Sequence, residues 1–279
     1  LKKLFGVIGD PISHSMSPAM HNDLFKIYNI DAHYQPFHIS RENLNEAIKG
    51  FRAIGIAGFN VTVPHKEAII PLLDDLDPLA EAIGAVNTVI NQDGKLIGYN
   101  TDGSGFVKGL LNQKQSIKDK KVLIVGAGGA ARAIYFTIAK EAPELLDICN
   151  RTPERAEQIL NDCPFEVPAR VLNRQKAEES LETYDLIVQT TSIGMHPDIG
   201  QSPLSAHKLK PGAFVSDIIY NPLQTRLLKE AAVKGAGIQN GIDMFVYQGA
   251  LAFEMWTGIG PDIERMRHKV LNQLGGLLC

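Results

Sequence analysis

The feature that most limits what this chain can fold into is the junction at residues 122–131. An apolar run, Val122-Leu123-Ile124-Val125, passes directly into Gly126-Ala127-Gly128-Gly129-Ala130-Ala131. Beyond it Ala131, Ile134, Tyr135 and Ile138 recur at the i, i+3, i+4, i+7 spacing of a helix that buries one face. In a G-x-G-x-x-A turn between strand and helix, the first glycine permits the tight turn and the second lets the backbone approach a pyrophosphate. The small third residue allows close helix–strand packing, and the helix N-terminus offers unpaired N–H groups to phosphate. The expectation is a Rossmann-like half that binds a dinucleotide on Gly126, Ala127, Gly128, Gly129 and Ala130. A plain glycine-rich loop is the alternative, weakened by the strand and helix on either side.

The next strand says which dinucleotide. A ribose diol is held by an acidic residue about 20 positions beyond the turn, whereas a 2′-phosphate needs cations and donors. Here residues 145–149 lead into Asn150-Arg151-Thr152 and then Arg155, with no acid among these four. Two guanidiniums, an amide and a hydroxyl suit a phosphate, so the expected cofactor is NADP. The competing reading is a solvated helix start with Thr152 as its N-cap, and for Thr152 both can hold.

Composition narrows the remaining classes. With 279 residues the chain exceeds what one core usually serves, so two domains are expected. Lys and Arg total 28 against 31 Asp and Glu, for a net charge of -3, with no sustained run of either sign. That excludes an obvious nucleic-acid footprint or polybasic membrane surface and leaves a small molecule as the expected partner. Monomer and homodimer both stay open. Cys149, Cys163 and Cys279 are too few and scattered for a disulfide framework or zinc ribbon and read as buried or incidental thiols. His14, His21, His33, His38 and His65 have no metal-ligand spacing, so no metal is expected. With no leader-like or spanning apolar run, cytoplasm is the expected location.

The first hundred residues alternate β-rich and amphipathic stretches, at 4–8, 18–28, 33–39, 42–54, 56–63 and 64–73. This βαβα rhythm predicts a mainly parallel sheet, with helices starting at Pro18 and Pro64. Residues 86–90 and 95–99 flank Gln92-Asp93-Gly94 and read as a strand pair joined by an Asp-Gly turn. A helix over 103–112 leads into the polar stretch 113–121, the candidate boundary. The second series has strands at 122–125, 145–149, 185–189 and 213–216 and helices at 129–141, 153–160 and 223–234, the pattern of a doubly wound sheet. Residues 242–257 and 262–274 read as two closing helices.

In the first domain the strand at 56–63 carries Asn60 and Thr62 near its C-terminal end, where open α/β sheets bind ligands. His65 and Lys66 follow, on the first turn of the expected helix, where a lysine suits the helix dipole poorly. Asn87 interrupts an apolar run, and Asn100-Thr101-Asp102 sits at a strand–helix junction. In a parallel sheet these positions share one rim. Each also has a bland reading: Asp102 as an N-cap, Asn87 in a turn, Lys66 as surface. Gln248 lies among Met244, Phe245, Leu251 and Ala252, an amide on an apolar face that needs a partner, either a core group or a ligand hydroxyl.

These blocks together resemble the shikimate dehydrogenase family over essentially the whole chain. The resemblance is carried by Gly9-Asp10-Pro11-Ile12-Ser13-His14-Ser15-Met16-Ser17-Pro18, Asn60-Val61-Thr62-Val63-Pro64-His65-Lys66, Gly84-Ala85-Val86-Asn87-Thr88, Gly98-Tyr99-Asn100-Thr101-Asp102-Gly103, the glycine turn, Asn150-Arg151-Thr152 and Asp217-Ile218-Ile219-Tyr220-Asn221-Pro222. It implies an α/β substrate domain over 1–104, to which 242–279 return, a Rossmann-like NADP domain over 105–241, and a cleft between them. It also implies reversible NADPH-dependent reduction of 3-dehydroshikimate to shikimate, in the route to aromatic amino acids. Ser15 and Ser17 would hold the substrate carboxylate with Thr62 and Tyr220, and Asn60, Asn87 and Gln248 would contact ring hydroxyls. Lys66 and Asp102 match the catalytic pair, the lysine neutralising and protonating the oxygen that becomes anionic on hydride arrival, and the carboxylate orienting it. Thr191, Ile218 and Gly241 would join the cofactor contacts. Two alternatives stand beside this: a quinate/shikimate dehydrogenase of relaxed specificity, and a non-catalytic NADP sensor on the same fold, against which the presence of both Lys66 and Asp102 argues.

Overall fold

A computed structural model describes residues 2–277. The chain divides into two compact units, one comprising residues up to Thr101 together with those from Val246 onward, the other Asp102–Phe245. The first break thus falls ahead of the helix at Asp102, and the polar stretch 113–121 lies inside the second unit.

The first unit begins with β1 (Lys3–Gly9), α1 (Ser17–Ile27), β2 (Ala32–His38), α2 (Leu44–Ile54) and β3 (Gly58–Val61). Gly55 ends α2 in the left-handed region, at φ 64°, which only glycine reaches without strain. After β4 (Asp75–Leu76) and α3 (Pro78–Ile83) come β5 (Thr88–Gln92) and β6 (Lys95–Tyr99). These form a six-stranded sheet in the order β2-β1-β3-β5-β6-β4. β1 runs parallel to β2 and β3, but β5 is antiparallel to both β3 and β6. The hairpin is closed by Asp93 and Gly94, both at positive φ, the geometry of a type I′ turn that suits the strand twist. Ile8, Phe59, Val61, Val86, Val89 and Leu96 fill the core with Ile48 and Phe51 of α2.

One expectation needs correction here. No α-helix occupies 64–73; the segment is a run of turns ending in one 3-10 turn, Ile70–Leu72. Its backbone closes i→i−3 bonds, as from Ile70 N–H to Glu67 O at 3.2 Å. Pro71 has no N–H to continue an α ladder, and its ring would collide with the Glu67 carbonyl. His65 and Lys66 therefore sit on a turn, not on a helix's first turn. The sheet is mainly parallel as expected, and its antiparallel pairings both involve β5, which forms the expected hairpin with β6.

The second unit opens with α4 (Asp102–Asn112) and continues with β7 (Lys121–Val125), α5 (Gly129–Lys140), β8 (Leu145–Cys149), α6 (Pro153–Asp162), β9 (Val171–Leu172) and α7 (Arg174–Glu179). β10 (Leu186–Gln189), β11 (Phe214–Asp217), α8 (Arg226–Val233) and β12 (Gly237–Gln239) follow. All pairings are parallel, in the order β12-β11-β10-β7-β8-β9. That is the doubly wound order, reversing direction between β7 and β10. Gly103 lies so close to α5 that a Cβ there would strike Thr137 and the Ala133 carbonyl, so its motif position is a packing requirement. Helix α8 starts three residues later than the apolar pattern suggested, because the Thr225 side chain caps Leu228 N–H. α9 (Ile242–Thr257), within which the second break falls, and α10 (Ile263–Leu277) end the chain. Among the described residues no helix is long and apolar enough to cross a membrane.

Candidate active and cofactor sites

In the first unit, the C-terminal ends of β1, β3 and β6 and the N-terminal end of β5 share one edge of the sheet. The antiparallel course of β5 matters, because it brings Asn87, just ahead of that strand, to the same edge as Thr62 beyond β3 and Thr101 beyond β6. Asn60 lies opposite Thr88 in register, and Thr88 opposite Tyr99. Ser15 and Ser17 stand at the start of α1, with Ser17 N–H bonded to Ser15 Oγ at 3.4 Å. The first turn of α1 holds no acidic residue, so the helix's positive end stays available to an anion. Lys66, half-buried, is tied to this edge through its backbone, its carbonyl accepting from Val86 N–H at 2.8 Å.

The buried polar groups on this edge are joined. The Tyr34 hydroxyl lies 2.7 Å from Asn60 Oδ1. Asn60 Nδ2 donates to the Asn87 carbonyl and to Thr88 Oγ1, each at 3.1 Å. Asn87 Oδ1 accepts from Thr101 N–H at 2.8 Å, and Asn87 Nδ2 donates to Thr101 Oγ1 at 3.0 Å. The Thr101 hydroxyl reaches the Gln248 carbonyl at 3.1 Å, so α9 is fixed to the same chain of bonds. His65 is buried and used structurally, 2.6 Å from the Ile39 carbonyl.

In the second unit the glycine turn follows β7, and Gly126 has φ 113°. Its N–H donates to the Cys149 carbonyl at 2.8 Å, which sets the turn against the end of β8. A Cβ on Gly126 would meet Thr190 Oγ1 and the Thr191 methyl, whereas one on Gly128 or Gly129 would meet nothing within 4 Å. Backbone N–H groups at the start of α5 therefore border open space that only the absence of side chains provides, and Gly128, the N-cap, has no side chain to occupy them. These residues fit a pyrophosphate. Asn150 donates from Nδ2 to the Thr152 carbonyl at 2.8 Å, and Thr152 is the N-cap of α6 but makes no side-chain capping bond. Its hydroxyl is not consumed by the helix. Arg151 and Arg155 are exposed and have no ion pair among the described residues, although Arg132, Arg170 and Arg174 in the same unit pair with Asp162, Asp147 and Glu178. Cations left unpaired beside a helix start suit a 2′-phosphate.

Two side chains to which the sequence assigned no role organise this edge. Gln189, fully buried at the end of β10, accepts from Thr191 N–H at 2.8 Å and donates to the Thr191 and Ile193 carbonyls, which sets Thr191 beside Gly126. Asp217, at the end of β11, accepts from Ile219 N–H at 3.0 Å and from the Thr225 hydroxyl at 2.7 Å. Burial pushes its carboxyl up to about 6, against those two hydrogen bonds. Gly241 packs directly on Ile218, bringing those two positions together, while burial pushes up the phenol of Tyr220, whose ring packs on Phe245. A glutamine closing an apolar strand was the available signal for Gln189. Tyr34 gave only the general one, that a buried phenol needs a partner. Cys149 is buried and its thiol is pushed up to about 11 by desolvation; Cys163 is half-buried, and Cys279 lies outside the described residues. No group of three or more metal-ligating side chains occurs among the described residues.

Three family models match the chain: the shikimate dehydrogenase substrate binding domain over residues 7–89, shikimate / quinate 5-dehydrogenase over 110–218, and the shikimate 5′-dehydrogenase C-terminal domain over 241–271. Shikimate dehydrogenase (NADP(+)) of Bacillus cereus strain AH187 is 56% identical over 277 residues, 99% of this chain and 100% of that protein. The structure of shikimate 5-dehydrogenase from Thermus thermophilus, in complex with NADP(H) and shikimate, superposes with a TM-score of 0.88 at 36% identity, covering 97% of this chain and 99% of that one. Quinate dehydrogenase from Corynebacterium glutamicum, in complex with NAD, has a TM-score of 0.90 at 30% identity, over 97% and 99% of the two chains.

Proposed function

The chain belongs to the shikimate dehydrogenase family, and on that premise we propose that it catalyses the reversible NADPH-dependent reduction of 3-dehydroshikimate to shikimate, as an oxidoreductase acting on a CH–OH group. The observation that carries the substrate class is the first unit's sheet edge, where Ser15, Ser17, Asn60, Thr62, Asn87 and Thr101 gather hydroxyls and carboxamides with Lys66 beside them. Such groups suit a small polyhydroxylated acid. Ser15 and Ser17, with the N–H groups starting α1, are assigned to the substrate carboxylate, helped by Thr62 and Tyr220. Asn60, Asn87 and Gln248 are assigned to ring hydroxyls. A site built on hydrogen bonds to hydroxyls discriminates strongly, because an analogue lacking one leaves a buried partner unsatisfied.

NADPH, when bound, supplies the hydride that adds to the C3 carbonyl carbon. Lys66 is assigned to donate the proton that the carbonyl oxygen then takes up, and to receive it in the reverse direction. Asp102, buried at the start of α4, is the acidic member of the assigned pair. Gly126, Ala127, Gly128, Gly129 and Ala130 are assigned to the pyrophosphate, and Asn150, Arg151, Thr152 and Arg155 to the 2′-phosphate. Thr191, Ile218 and Gly241 complete the assigned cofactor contacts. Cytoplasm is the proposed location. The reading is tested by assaying purified protein with shikimate and with quinate, each against NADP and NAD. The highest kcat/KM is expected for shikimate with NADP, and a preference for quinate or for NAD would overturn the assignment.

A further inference from the structure

The hydrogen-bond chain of the first unit has a direction, and one residue sets it. The Asn87 carbonyl can only accept, so the Asn60 side-chain atom 3.1 Å from it must be the nitrogen. Its second proton goes to Thr88 Oγ1. Both donors of Asn60 are thereby engaged inside the protein, and Oδ1 faces the Tyr34 hydroxyl at 2.7 Å. That hydroxyl must be the donor. Burial, opposed by the influence of Ser17, pushes the phenol well above its ordinary value, so it keeps the proton it donates.

Tyr34 is 1% exposed and held in place from its faces as well as its tip. Its ring stacks on His21 with centroids 4.6 Å apart and lies 6.0 Å from Trp256. His21 is itself fully buried, with neither ring nitrogen hydrogen-bonded among the described residues, and desolvation lowers it to about 3. It therefore stays an uncharged aromatic platform under the phenol at any working pH.

We propose that Tyr34 is a positioning residue that holds the Asn60 carboxamide in the orientation the Asn87 carbonyl imposes, with its oxygen presented as an acceptor toward substrate, so that Asn60 selects a ligand hydroxyl that donates. Oδ1 has one lone pair left after Tyr34 is satisfied, and no proton on Asn60 remains to offer. Removing the phenol hydroxyl takes away the bond that opposes rotation of the amide at its oxygen end. The selection then weakens without loss of the carboxamide itself. This rests on the proposed assignment of Asn60 to a ring hydroxyl.

The test compares shikimate with two analogues, each lacking one of the ring hydroxyls that do not react. Tyr34→Phe is expected to lower the kcat/KM preference for shikimate over one analogue about tenfold, the scale of one hydrogen bond, and to leave the preference over the other unchanged. Using the ratio cancels any effect on the carboxylate end of the site, since all three ligands carry the carboxylate. In an Asn60→Ala background the same change should have no further effect on that ratio. Should Tyr34→Phe not fold, Thr88→Val removes the acceptor from the opposite end of the amide and is expected to give the same signature. Unchanged ratios, or equal losses for both analogues, would overturn the role of Tyr34. Wild-type protein that does not turn over shikimate would instead overturn the functional reading.

Discussion

The two sheets present opposite kinds of edge. In the first unit the edge is crowded with buried side chains, Asn60, Asn87, Thr88 and Thr101, that are already bonded to one another. In the second it is bare backbone: Gly128 and Gly129 border open space, and Arg151 and Arg155 stand exposed and, among the described residues, unpaired. The first suits a ligand read by the pattern of its hydroxyls, with the geometry set in advance. The second suits a ligand whose phosphates take N–H groups and cations wherever they are offered. On the proposed assignment, specificity concentrates in side chains on one edge, and affinity in main chain and charge on the other.

The largest test of that division is Lys66→Ala, expected to lower kcat by ~10²–10⁴ while shikimate and NADP still bind. Steady-state kinetics with equilibrium binding check it, and near-normal kcat would remove Lys66 from the chemistry. On the second edge Gly128→Val should fold normally, since a side chain there meets nothing, yet weaken NADP on the order of a hundredfold by filling the phosphate space. Tight NADP binding by that variant would show that the phosphates lie elsewhere. Arg151→Ala should weaken NADP about tenfold and NAD hardly at all, the worth of one charge-assisted contact. Equal losses for both would refute a 2′-phosphate site.

The smallest effect concerns stability. The Asp217 carboxyl is raised by burial to about 6, so the folded state favours its protonated form. The stability it contributes is full below about pH 4 and is lost as pH rises through about 6. Asp217→Asn does not titrate, so its Tm relative to wild type should rise by a few degrees between pH 4 and pH 7. A difference that stays flat across that window would show that the carboxyl is not the group responsible.

Much of this contrast was legible beforehand, and what was not has physical reasons. The glycine turn and the Asn150–Arg155 segment depend on local chain geometry, and local geometry is written in consecutive residues. Strands as short as β9, at Val171–Leu172, and β12, at Gly237–Gln239, carry no period to detect. The helix expected over 64–73 misled because Pro64 satisfies a start signal while Pro71, only seven residues later, removes the N–H needed to continue. Asn87 reaches the rim through the hairpin: it lies just ahead of β5, whose antiparallel course brings its N-terminal end to the edge where β3 ends. The Tyr34–Asn60 bond was invisible beforehand because the two residues are distant in the sequence and meet only through the register of β2, β1 and β3.

Gly241 carries a practical consequence for re-engineering the cofactor rim. Any side chain there would drive into the Ile218 carbonyl, so the chain itself demands glycine at that position. Gly128 and Gly129 face no such neighbour. A saturation library sorted first for folded yield and then for turnover should lose every substitution at 241 in the first sort, and those at 128 and 129 only in the second. The two sorts would separate, residue by residue, the glycines the polypeptide needs from those its ligand needs.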